Sequence, residues 1–155
     1  MSYELNALLA TAELLAVVAA EVPAARMTRL SHDLALIPMT DELFDALQQP
    51  SRSADFGFKR FPDGFGLRIA AWSKSAPIAY VETDAEHSGT PGGQRAAAWY
   101  DGRVVLGPID VATGDPAPAA GRPLDQVLRH LGVPVRADQD PCRVVGLHRY
   151  RPRAA

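Results

Sequence analysis

The densest group of side chains able to do chemistry is Glu82, Asp84, Glu86 and His87. Side chains alternate along a strand with a period of two. A strand running on through Glu86 would therefore put three carboxylates on one face, close to an imidazole. Such a face could ligate a divalent cation through its oxygens, or supply an acid and a base for hydrolysis. The spacing matches no metal motif with defined ligand intervals, and acids at a strand end leading into a glycine-rich loop are ordinarily solvated. No residue is therefore assigned as catalytic or as a metal ligand, and the four stand as binding candidates.

Three other groupings carry less. Gly89, Gly92 and Gly93 invite a phosphate-cradle reading, but no Gly-Lys-Ser/Thr follows and the next residues read as a strand, so no helix N-terminus would meet the anion. Ser31, His32 and Asp33 are the residue types of a catalytic triad in a row; in a strand Ser31 and Asp33 would point away from His32, which excludes the triad geometry. Gly-x-Ser-x-Gly and His-Glu-x-x-His are both absent from the sequence. His130 suits a helix C-terminus, where a cation meets the negative end of the dipole. Cys142, the one cysteine, has no supporting histidine or helix start and reads as a small packing residue.

Charge narrows the partner class. The formal net charge is -2 and the pI about 6.1, which gives no general attraction to a phosphate backbone. After Asp140 there is no acid, whereas Arg143, Arg149, Arg151 and Arg153 follow. These make a solvated basic tail, with His148 in it, and nucleic-acid binding through the tail alone ranks last among the readings. Only Lys59 and Lys74 of the 16 basic residues are lysines, and because Ala, Arg, Pro and Gly are also abundant, that bias points to a GC-rich genome rather than to guanidinium chemistry.

The elements that must position these residues follow from periodicity and breakers. Leu5, Leu8, Ala12, Leu15, Ala19 and Val22 recur at three- and four-residue steps and predict a first helix, N-capped by Ser2 and ended by Pro23. Glu4 and Glu13 precede any basic residue, which argues against a secretory signal, and Thr11 and Glu13 interrupt any run able to span a bilayer. Leu34 to Ile37 reads as a buried strand, and Thr40 as the cap of a second helix with Leu43, Phe44 and Leu47 on its inner face. For residues 64–75 the alternation of Phe65, Leu67 and Ile69 suggests a strand. Phe65, Ile69 and Trp72 also share a helical face, and with Asp63 as N-cap and Pro77 beyond, a helix is the preferred reading.

Ile78 to Thr83 predicts a half-buried strand. Asp101-Gly102 between Arg95–Tyr100 and Arg103–Leu106 predicts a two-residue hairpin. Residues 108–123 predict a surface loop, and Leu124, Val127, Leu128 and Leu131 a last amphipathic helix stopped by Gly132 and Pro134. At 155 residues, with 47% hydrophobic and 22% charged residues, the chain can bury a proper core without disulfides. The expectation is a single α+β domain over 1–155, a small, mostly antiparallel sheet packed against about four helices, with 148–155 a flexible basic tail. Trp72 and Trp99 belong to its core.

The segment Ala79-Tyr80-Val81-Glu82-Thr83-Asp84, a glycine-containing loop and then Gly93-Gln94-Arg95-Ala96-Ala97-Ala98-Trp99 resembles a family of small uncharacterised bacterial proteins. Leu106-Gly107-Pro108, Leu131-Gly132-Val133 and Gly146-Leu147-His148-Arg149 look similar too. The chain departs from the pattern at Ala85-Glu86-His87-Ser88, where the family has aromatic and glycine residues and a shorter loop. The resemblance implies one α+β domain with the Gln94-to-Trp99 strand in its sheet, and no activity.

The functional expectation is a non-catalytic module that binds a protein, such as an immunity-type inhibitor or an accessory subunit, in the cytoplasm, with no cofactor and no membrane contact. The 84–93 loop and the arginine-rich tail are the exposed recognition candidates, because loops on a rigid scaffold tend to carry function. Gln94 and Arg149 complete the binding set. The alternative is a divalent-metal-dependent hydrolase built on Glu82, Asp84, Glu86 and His87. Glu82 itself is expected to point outward with Tyr80, opposite an inward Val81; otherwise it is buried and paired with Arg95 or Arg103.

Overall fold

The computed structural model describes residues 5–49, 56–84, 92–116, 119 and 121–134. Its first element corrects the sequence reading. Leu5–Thr11 is a strand, β1, and only Ala12–Glu21 is helical, α1. The apolar residues of β1 divide between the two faces of the sheet, Leu8 and Ala10 to one and Leu5, Ala7 and Leu9 to the other. A strand buried on both faces is apolar throughout, so periodicity cannot tell it from a buried helix. The change of structure falls at Thr11, whose hydroxyl oxygen accepts the Leu14 amide at 3.3 Å as the N-cap of α1.

The remaining elements are β2 (Thr28–Arg29), β3 (Leu34–Pro38), α2 (Asp41–Leu47), α3 (Phe65–Trp72), β4 (Ile78–Thr83), β5 (Gln94–Tyr100), β6 (Arg103–Val111) and α4 (Pro123–His130). The strands form one antiparallel sheet in the order β2-β3-β1-β4-β5-β6, and the class is α+β. The two-residue β2 was not expected. It is joined to β3 through Ser31, His32 and Asp33, with His32 and Asp33 both left-handed (φ 60° and 59°), so these residues form a turn and not a strand.

Both faces of the sheet are covered. Helices α1, α2 and α3 and the aromatic residues Phe58 and Phe61 bury Leu8, Ile37, Ile78, Tyr80 and Trp99 on one side. On the other, Leu124, Val127 and Leu128 of α4 join Leu9, Leu36, Val81, Ala96 and Ala98. All six residues of β4 are consequently buried, where alternation had suggested a half-buried strand. The wholly buried Ala96, Ala97 and Ala98 let β5 accept α4 on one face and large rings on the other.

Short-range signals held. Thr40 caps α2 by accepting the Leu43 amide at 3.1 Å. Asp101 and Gly102 form the β5–β6 turn with φ of 53° and 81°, the double left-handed conformation of a type I′ turn. That turn is docked on the end of α3, where fully buried Ser73 accepts the Gly102 amide through its hydroxyl oxygen (3.0 Å) and the Asp101 amide through its carbonyl (2.9 Å). Helix α3 is a helix, as preferred, but its N-cap is left-handed Gly64. Asp63 instead accepts the Gln48 amide nitrogen at 3.0 Å, tying the helix start back to the end of α2. Strand β6 runs to Val111, taking the first four residues of the stretch expected as loop; Pro108 is tolerated because β6 is an edge strand. No helix among the described residues is long and apolar enough to cross a membrane.

Candidate functional site

The sequence Phe56-Gly57-Phe58-Lys59-Arg60-Phe61 explains how the far end of β4 is organised. Phe58 and Phe61 are buried and pack on Tyr80, with ring centroids 4.9 and 5.5 Å away, and Phe61 also stacks on Trp99. Anchoring these rings leaves Lys59 and Arg60 facing outward, while their backbone passes directly over β4. An apolar sheet face cannot satisfy that backbone, so side chains must.

Glu82 and Tyr80 do so. Glu82 is only 6% exposed, and its Oε1 and Oε2 accept the backbone N–H groups of Lys59 and Arg60, both at 2.8 Å. Two positions earlier on the same face, the Tyr80 hydroxyl donates to the Arg60 carbonyl. Charge-assisted bonds from two amides compensate the burial of the carboxylate. Burial, reinforced by the negative charge of Glu82 and partly offset by Arg60, pushes the Tyr80 hydroxyl far above the usual tyrosine range, so it acts as a donor and not as a base.

The expectation that Glu82 points outward is therefore corrected. The face opposite Val81 is not solvent but the aromatic side of the core, because the sheet is covered on both sides. The expected alternative, burial with an ionic partner on a neighbouring strand, is half met. Arg95 lies across from Glu82 in the β4–β5 register, but its guanidinium turns to Asp110 at 2.9 Å and to the carbonyl of Gly57. Arg103 pairs with Asp101 at 3.7 Å.

Asp84 follows the end of β4 and is partly exposed. Its amide donates to the Gly93 carbonyl at 2.8 Å, which closes the base of the 84–93 loop, and its carboxylate lies 3.5 Å from Lys59 Nζ. Gly93 leaves no slack there, since a Cβ would come within 3.2 Å of both the Val111 carbonyl and the Asp84 carboxylate. Arg60 reaches Asp41 in the first turn of α2 at 2.6 Å and lies 5.8 Å from the centre of the Phe44 ring. Asp41, Arg60, Lys59 and Asp84 thus make two ion pairs of opposite order, held by adjacent residues of one strap.

Gln94 has a different role. Its Oε1 accepts the Leu124 amide at 3.1 Å, so a residue of β5 satisfies one donor at the N-terminus of α4, beside the helix's own Asp125, whose carboxylate accepts the Arg122 amide at 3.0 Å. Glu86, His87 and Arg149 lie outside the described residues, as do Cys142 and His148. Of the six predicted binding residues, the structure brings Glu82 and Asp84 to one end of β4 and puts Gln94 against α4. Among the described residues no three of His, Cys, Asp and Glu are grouped to hold a metal ion.

Sequence reasoning missed Asp41, Lys59 and Arg60. The available signal was the pair of phenylalanines at 58 and 61, whose burial forces the two basic residues between them to the surface. No family model, no curated protein and no solved structure matches this chain.

Proposed function

We propose that this chain is a non-catalytic protein-binding module, of the kind that serves as an inhibitor or accessory subunit. Its recognition surface is the charged rim of Asp41, Arg60, Lys59 and Asp84. The observation that carries this reading is the division of labour at the end of β4. Glu82, the acid best placed for chemistry, is turned inward to hold the Lys59–Arg60 backbone, and the charges left outside sit on a strap fixed at both its backbone and its rings. Lys59 and Asp41 are the most exposed of the four, at 71% and 77% of their side chains. Exposed pairs of this type add little to stability, whereas a fixed pattern of rim charges governs partner choice and association rate.

The test is capture from an extract of the source organism by the tagged protein and by a Lys59→Glu/Asp84→Lys double variant. The variant keeps an ion pair within the chain but reverses the charges presented. A stoichiometric protein held by the parent chain, released by moderate salt and not held by the variant is the expected result. Equal retention by both, or no stoichiometric protein at any salt concentration, overturns the proposal.

A further inference from the structure

We draw no further inference here: the strongest candidate, the exposed apolar surface that Val17 of α1 and Leu67 of α3 present on the outer side of the helical layer, carries nothing because nothing in the structure shows what covers it.

Discussion

Glu82 and Arg60 meet through backbone and not through opposite charge: the carboxylate lies 2.8 Å from the Arg60 amide nitrogen, while the Arg60 guanidinium is engaged 2.6 Å from Asp41. The arrangement separates two functions in one residue. The main chain of Arg60 belongs to the interior and its side chain to the rim. Changes at Glu82 should therefore act on stability, and changes at the Lys59 and Asp84 side chains on recognition.

Glu82→Gln tests the first half of that statement. Glutamine is nearly isosteric but offers one acceptor oxygen where two amides must be satisfied, and its amide nitrogen would face a second donor. Hydrogen bonds to a charged group contribute roughly 1.5 to 3 kcal/mol, and an unsatisfied buried donor costs a similar amount. We expect a loss of about 2 kcal/mol with an unchanged denaturant slope in a urea melt. A loss below about 0.5 kcal/mol, the range of ordinary surface substitutions, would mean that the carboxylate does not hold the strap.

Tyr80 gives a pH-dependent prediction. In the folded protein its ionisation is pushed far upward, whereas in the unfolded chain it titrates near pH 10. Above that pH the unfolded state releases a proton that the folded state retains, so the folded state binds more protons and stability falls as pH rises. Below pH 10 the two states bind this proton alike and the contribution is fully present. A Tyr80→Phe variant loses the bond to the Arg60 carbonyl, about 1 kcal/mol at neutral pH, but its stability should fall less steeply in alkali. Chemical melts of both proteins between neutral pH and strong alkali decide the matter, and parallel curves would contradict the role assigned to the hydroxyl.

What could be read from the sequence was local. The Thr40 cap, the Asp101-Gly102 turn and the Gly132 stop each involve residues within a few positions of one another, and each is where the sequence placed it. Thr11 is also a local signal, but the apolar run on either side of it conceals the switch from strand to helix. Glu82 was a different problem. Period-two alternation puts Tyr80 and Glu82 on one face, yet whether that face meets water depends on a segment 22 to 23 residues upstream that has no regular structure. Gln94 depends on a helix 30 residues downstream. No spacing rule reaches that far, because these contacts are set by how the covering layers fold over the sheet.

The hairpin turn offers a test of the contact between α3 and the sheet. Ser73→Ala removes the acceptor of the Gly102 amide, a hydroxyl on a residue that is itself fully buried. The Asp101 amide keeps its bond to the Ser73 carbonyl, so the turn should loosen and not detach. A cost of about 1 to 2 kcal/mol is expected, with faster hydrogen exchange at Gly102 and Arg103 than in β4. Unchanged exchange at Gly102 would show that its amide does not depend on Ser73.

Gln94 separates a structural residue from a recognition residue. It was expected to bind a partner, but its side-chain oxygen meets the Leu124 amide, one of the orphan donors at the start of α4. Removing an N-capping acceptor typically costs about 1 kcal/mol, so Gln94→Ala should lower stability by that amount. The loss should be concentrated in α4, whose Leu124, Val127 and Leu128 cover Ala96 and Ala98, and should appear as faster exchange of the α4 amides with β1 and β3 nearly unaffected. Capture of any partner found with the parent chain should survive the substitution, because Gln94 and the charged rim serve separate contacts. Loss of partner capture by a Gln94→Ala protein whose stability and α4 amide exchange are unchanged from the parent would return Gln94 to the binding surface and refute its role as a cap.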